Sequence, residues 1–329
     1  MPVLARGTAL STKICDLRLS IAGSRLEKLV TRLYSELEAR GISYRPPTYL
    51  SDEWGCPHRV PIIGIPFYLA QKKLAELETR LSGIPAETED EIMHFLRHEA
   101  GHAFNYAFRL YRSPAWQKTF GDFSQPYHEV YRARPFSAKF VRYVPGWYAQ
   151  KHPDEDFAET FAVWLTPHSN WKKNYGGTKA LKKLMYVEKT IPSYEGRNSD
   201  VSARSPDRPV EELTMTLATW FSSRKTALCD LRLPRVIDLD LHRMFPSGQG
   251  RPAAGILQKQ KVLLVRLVNN WTGLDRHLLA GLLRAALDRV RYLRLKIAPG
   301  EDETALADFA SFLTALAMNY QDTGCFVEE

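Results

Sequence analysis

No run of 18 or more apolar residues occurs anywhere in this 329-residue chain, so none of its segments reads as a membrane-spanning helix. The first residues, MPVLARGTALSTKICDLRL, lack the continuous apolar stretch of a secretory signal. Cysteine is scarce. Cys15, Cys56, Cys229 and Cys325 lie far apart with no CxxC pair, so neither a cysteine-rich metal site nor a disulfide scaffold is expected. The formal net charge is +8, but the basic residues are scattered rather than run together, which speaks against nucleic acid as a partner. The expectation is a soluble protein of the reducing cytoplasm with no membrane partner; oligomeric state is left open.

What is present is ordinary globular material, 44% hydrophobic and 25% charged, in a chain long enough for about two cores. Ser24 and Glu27 have capping-box spacing, and Leu26, Leu29, Val30, Leu33 and Leu37 form a stripe of period 3.6 that ends at Gly41. Residues 60–70, VPIIGIPFYLA, read as a strand, which Pro61 and Pro66 push to a sheet edge. Such an edge would suit an extended peptide adding by main-chain pairing, and an ordinary buried edge strand is the equal alternative. A helix over residues 71–81 follows. Thr88 and Glu91 then cap a helix through IMHFLRHEAGHAFNYAFRLY.

Residues 112–150 are irregular and crowded with aromatics and arginines, fit either to wall a cleft or to pack a core. A basic helix is expected near residues 178–189. Turn formers mark a linker that divides a domain of residues 1–195 from a mostly helical one of residues 210–329, with 196–209 between them. In the second domain Arg284, Arg289, Arg291 and Arg294 alternate with leucines at amphipathic spacing. The simpler reading is a solvated helix face, and contact with an acidic partner or with nucleic acid is the sharper one. The pentapeptide CDLRL at residues 15–19 recurs at 229–233 without matching flanks and reads as coincidence.

Two motifs carry chemistry. His98-Glu99-Ala100-Gly101-His102 puts two imidazoles one helical turn apart, where both can reach one metal ion, with Glu99 at the flank to meet a metal-activated water. The alternative is a half-buried helix with two satisfied histidines. A catalytic zinc ion needs a third protein ligand. The extended pattern HExxHxxGxxH fails, because Asn105 and Phe108 stand at its glycine and histidine positions. The third ligand must come from farther along. The apolar helix of residues 152–165, HPDEDFAETFAVWL, carries Glu155 and Glu159 one turn apart. Buried carboxylates need partners, and two of them divide into a metal ligand and an acceptor for a ligating histidine's free N–H. Spacing alone does not say which acid does which. His94 and His152 read as bystanders at surface or capping positions.

HEAGH followed by PDEDFAETFA resembles the gluzincin-type metallopeptidases of the lethal-factor and Pro-Pro endopeptidase kind. It is closer still to a predominantly bacterial set of zinc-binding metallopeptidases. The resemblance covers roughly residues 50–166, including DEWGCPHRVPIIGIPFYLA. It implies an α+β zincin-like catalytic domain with a small sheet and an HExxH active-site helix, followed by a mostly α-helical C-terminal region of unknown role. It also implies His98, His102 and Glu155 as metal ligands, Glu159 as the outer support and Tyr148, seven residues before Glu155, as the oxyanion donor. The rival order, Glu159 as ligand and Glu155 as support, stays open on the residues themselves.

The expected activity is therefore peptide-bond hydrolysis, on a peptide or protein substrate, with one zinc ion per chain and Glu99 as general base. Two alternatives remain, a zinc hydrolase of some non-peptide amide and a catalytically silent zincin fold that binds a partner. Base, ligands and tyrosine are all present, which argues against silence.

Overall fold

A computed structural model describes residues 10–128, 131–199, 201, 206–229, 233–246 and 248–327. Within the expected linker, residues 200 and 202–205 lie outside the described residues, as do residues 230–232 of the second CDLRL. The chain forms an α+β, mostly helical protein with little sheet. It divides into two compact units: unit 1 comprises residues 1–77, 86–129 and 134–219, and unit 2 comprises 78–85, 130–133 and 220–329. Among the described residues, no helix is long and apolar enough to cross a membrane.

In unit 1 a 3-10 turn (Ile14–Leu17) precedes α1 (Arg25–Glu38), where Ser24 caps the N-terminus by accepting from the Leu26 N–H. Glu27 reaches back to the Gly23 N–H rather than completing a capping box. The striped leucines are buried, and Gly41 takes the left-handed conformation that closes the helix. β1 (Thr48–Ser51) and β2 (Ile63–Pro66) pair in parallel. All of β2 is buried. Its second edge is not open to a peptide at its centre: the Gly64 N–H donates to Gly55 O at 2.7 Å, and the Gly55 N–H returns the bond at 3.3 Å. The expected strand is thus shorter and more enclosed than its composition suggested, because the turn of residues 52–60 folds back on it.

After α2 (Lys72–Ser82) comes α3 (Glu89–Ala107), opened by a complete capping box between Thr88 and Glu91. The aromatic segment holds a short helix, α4 (Pro114–Phe120), capped by Ser113 with Pro114 at its first position. Trp116, Phe120 and Phe123 are buried and pack against Phe157 and Tyr111. Phe136 and Tyr127 are exposed. Core packing thus accounts for much of the segment, Val141 and Trp147 being buried as well. α5 (Pro153–Leu165) is buried at every residue. α6 (Trp171–Asn174) and α7 (Lys179–Thr190) follow, the latter capped by Thr178.

α8 (Leu217–Cys229) spans the division between the units. In unit 2, α9 (Asp238–Met244), α10 (Ala253–Lys259), α11 (Lys261–Thr272), α12 (Arg276–Tyr292) and α13 (Asp302–Thr323) enclose a core that includes Phe245, Leu257, Leu282, Phe309 and Leu313. β3 (Arg251–Pro252) and β4 (Lys296–Ile297) make a two-residue antiparallel pair. Of the four arginines, Arg289 is ion-paired with Asp238 and Arg291 with Asp288. Arg294 lies beyond the end of α12 with φ 54°, so it does not share the helix face.

Candidate metal centre

The centre is made where α3 crosses α5, and two small residues set how closely they approach. A Cβ on Gly101 would stand 2.8 Å from Ala158 Cα, 3.1 Å from Ala158 O and 3.2 Å from Phe161 Cβ. Glycine in a helix interior costs about 1 kcal/mol relative to alanine. Here it removes the side chain that would hold the helices apart. Gly101 lies between His98 and His102, and Ala158 lies between Glu155 and Glu159, so the crossing brings the two histidines face to face with the two glutamates.

The resulting contacts are short and buried. His98 Nε2 and His102 Nε2 are 3.1 Å apart, and Glu155 Oε2 lies 3.1 Å from the first and 3.2 Å from the second. Glu159 Oε1 lies 2.9 Å from the other His98 nitrogen, Nδ1. The Tyr143 and Val144 N–H groups donate to Glu159 Oε2 at 3.0 and 3.1 Å. Asp154 Oδ2 stands 3.2 Å from His102 Nδ1, an ion-pair distance without hydrogen-bond alignment. Asp154 is fixed in turn by Asn105 Nδ2 at 2.8 Å and Tyr106 Oη at 2.5 Å. Among the described residues, the group able to hold a metal ion is His98, His102 and Glu155.

This donor set fits a cation. A carboxylate beside each Nδ1 favours the proton there, which leaves both Nε2 atoms as lone pairs. Two nitrogen lone pairs and a carboxylate oxygen then meet in a buried space, an arrangement that repels itself unless something positive sits among them. The electrostatics say the same. Burial alone would push the His98 imidazole down, yet Glu155 and Glu159 push it up to about 10. His102 is likewise raised, against burial, by Asp154 and Glu155. Burial favours a protonated Glu155, but the two histidines hold it well below the usual carboxylate range.

Glu99 is also buried, and its carboxyl group is raised chiefly by that burial. Its carboxyl group makes no hydrogen bond among the described residues. Tyr148 opens a 3-10 turn (Tyr148–Gln150) just before α5, with its ring centroid 5.7 Å from that of His98. Burial and the Glu155 charge push its phenol well above the ordinary value. His152 caps α5 by accepting from the Asp154 N–H, and His94 is exposed, so both lie outside the cluster.

Three contributors escape sequence reading. Asp154 sits directly before Glu155 and had no assigned partner. Tyr127, in the irregular segment, donates to Glu155 Oε1 at 2.7 Å. Arg97 forms a buried two-pronged pair with Glu36 on α1, at 2.6 and 2.8 Å, and donates to Tyr143 Oη at 3.1 Å. It thereby steadies the loop whose N–H groups hold Glu159. The small residues Gly101 and Ala158 were the available signal for the crossing.

Residues 85–190 match the model of a family described as "Putative zinc-binding metallo-peptidase". That span contains α3 and α5 whole. No curated protein and no solved structure matches the chain.

Proposed function

We propose that unit 1 is a zinc-dependent peptidase of the zincin type. The observation that carries this reading is the convergence of His98 Nε2, His102 Nε2 and Glu155 Oε2, all buried, within 3.2 Å of one another. Two imidazoles and one carboxylate are the ligand set of a catalytic zinc with one position left for water. The family match over residues 85–190 supports the same class. The contact of Glu159 with Nδ1 rather than Nε2 of His98 supports Glu155 as the ligand and Glu159 as the group that orients the ring.

When bound, zinc supplies a Lewis acid that polarises a carbonyl and brings the pKa of water toward about 7. The remaining work falls to the chain. Glu99, one residue from the first ligand and with its carboxyl group free of hydrogen bonds among the described residues, takes the proton of the attacking water and hands it to the leaving amine. The Tyr148 phenol is neutral at neutral pH, and its O–H donates a hydrogen bond to the carbonyl oxygen as negative charge grows there. Glu159 accepts the His98 Nδ1–H and is itself held by two backbone N–H groups.

The test is zinc per chain by elemental mass spectrometry on wild type, Glu155→Ala and Glu159→Ala, with Glu99→Gln assayed on a peptide library. About one zinc in wild type, lost in Glu155→Ala and largely kept in Glu159→Ala, is the expected pattern. Glu99→Gln should keep the metal and lose turnover ~10²–10⁴-fold. Bound zinc with no cleavage of any peptide would move the reading to a non-peptide amide. Absence of zinc after reconstitution would end it.

A further inference from the structure

Tyr127 belongs to no regular element, and the residue is 46% exposed. Its hydroxyl nonetheless reaches the buried centre, 2.7 Å from Glu155 Oε1 and 3.2 Å from Tyr148 Oη. We propose that Tyr127 is a positioning residue that holds Glu155 as a one-oxygen metal ligand and fixes the direction of the Tyr148 proton. The proposal rests on the zinc-site reading above and adds a residue to it.

The argument is one of proton counting. A carboxylate accepts only, so the single Tyr127 proton is committed to Glu155 Oε1. Oε1 is thereby occupied, and Oε2 is left to face the two Nε2 atoms. With its proton spent, the Tyr127 oxygen meets Tyr148 as an acceptor, which makes Tyr148 the donor of that contact. At 3.2 Å the bond is long against the ordinary 2.7–2.8 Å between hydroxyls, so it is readily exchanged for a substrate oxygen. Tyr148 thus waits with its proton aimed at the Tyr127 oxygen, at the head of a hydrogen-bond chain that runs from Tyr148 to Tyr127 to Glu155. Lys151 Nζ lies 4.4 Å from the Tyr127 ring centroid, and the His152 ring lies 5.4 Å away, so the ring is held by contacts that survive loss of the hydroxyl.

The experiment uses the full chain as wild type, Tyr127→Phe, Tyr148→Phe and the double variant. Zinc affinity is read by competition with a chromophoric chelator, coordination by the visible spectrum of the cobalt(II) form, and kcat and KM on a cleaved peptide. Tyr127→Phe should leave thermal unfolding of the metal-free protein unchanged, weaken zinc ~10–100-fold and alter the cobalt spectrum. Tyr148→Phe should leave zinc affinity and the spectrum as in wild type while lowering kcat. The kcat loss from Tyr127→Phe should shrink in the Tyr148→Phe background, since the two hydroxyls act in series. Zinc affinity within twofold of wild type and an unchanged spectrum in Tyr127→Phe would overturn the proposal while leaving the zinc site standing. A wild-type protein that binds no zinc would overturn both.

Discussion

Replacing Gly101 with alanine tests whether the close crossing of α3 and α5 makes the metal centre. Alanine is the better helix former by about 1 kcal/mol, so on propensity alone the variant should be more stable. The new Cβ would lie 2.8 Å from Ala158 Cα, whereas ordinary contact begins near 3.4 Å, so the helices must part by about 0.6 Å. Overpacking of this kind costs ~1–3 kcal/mol, which leaves a net destabilisation of roughly 0–2 kcal/mol after the propensity gain. The functional effect should be larger. Metal–ligand distances tolerate about 0.2 Å, and the crossing carries His98 and His102 on one helix and Glu155 on the other. Zinc affinity should fall by at least ~10-fold, while the melting temperature of the metal-free protein drops by only a few degrees. Chelator competition and thermal unfolding of metal-free Gly101→Ala read the two effects separately. A variant that melts higher than wild type and binds zinc equally well would refute the reasoning, because it would show that the crossing has room for the methyl group.

Asp154→Asn should weaken zinc ~10–100-fold, measured by the same competition, because the amide no longer supplies a negative charge beside His102 Nδ1; unchanged affinity would remove Asp154 from the site. Asp156 gives a pH prediction. Burial raises its carboxyl to about 7 although Lys183 is bonded to one oxygen at 2.5 Å, and its other oxygen makes no hydrogen bond among the described residues. The folded chain therefore holds a proton that the unfolded chain releases near 3.8. That contribution to stability is full below the lower value and is lost as pH rises to about 7, by up to ~1.4 kcal/mol per pH unit. Urea unfolding of Asp156→Asn should lack this decline relative to wild type, and an identical slope in both would count against it.

The Ser24 cap and leucine stripe of α1 and the capping box of α3 could be read from the residues because they depend on neighbours three or four positions away. Ser113-Pro114 carried an equally local signal for α4 that the aromatic crowding obscured. The edge of β2 could not be read that way, since the group that closes it, Gly55, is set by how a turn folds back. Arg97 and Glu36, 61 positions apart, show the same limit.

The sequence by itself determined that two histidines share one helix face, that Glu99 flanks them, and that Glu155 and Glu159 share a face of a second, apolar helix. Those relations follow from 3.6 residues per turn and hold wherever the helices go. Only the tertiary structure decided which nitrogen meets which carboxylate, that Asp154 stands beside His102, and that Tyr127 reaches Glu155 from an irregular segment. These contacts join residues 28 to 61 positions apart. Such distances are set by the approach of packed helices at Gly101 and Ala158, which periodicity along a single chain segment does not encode.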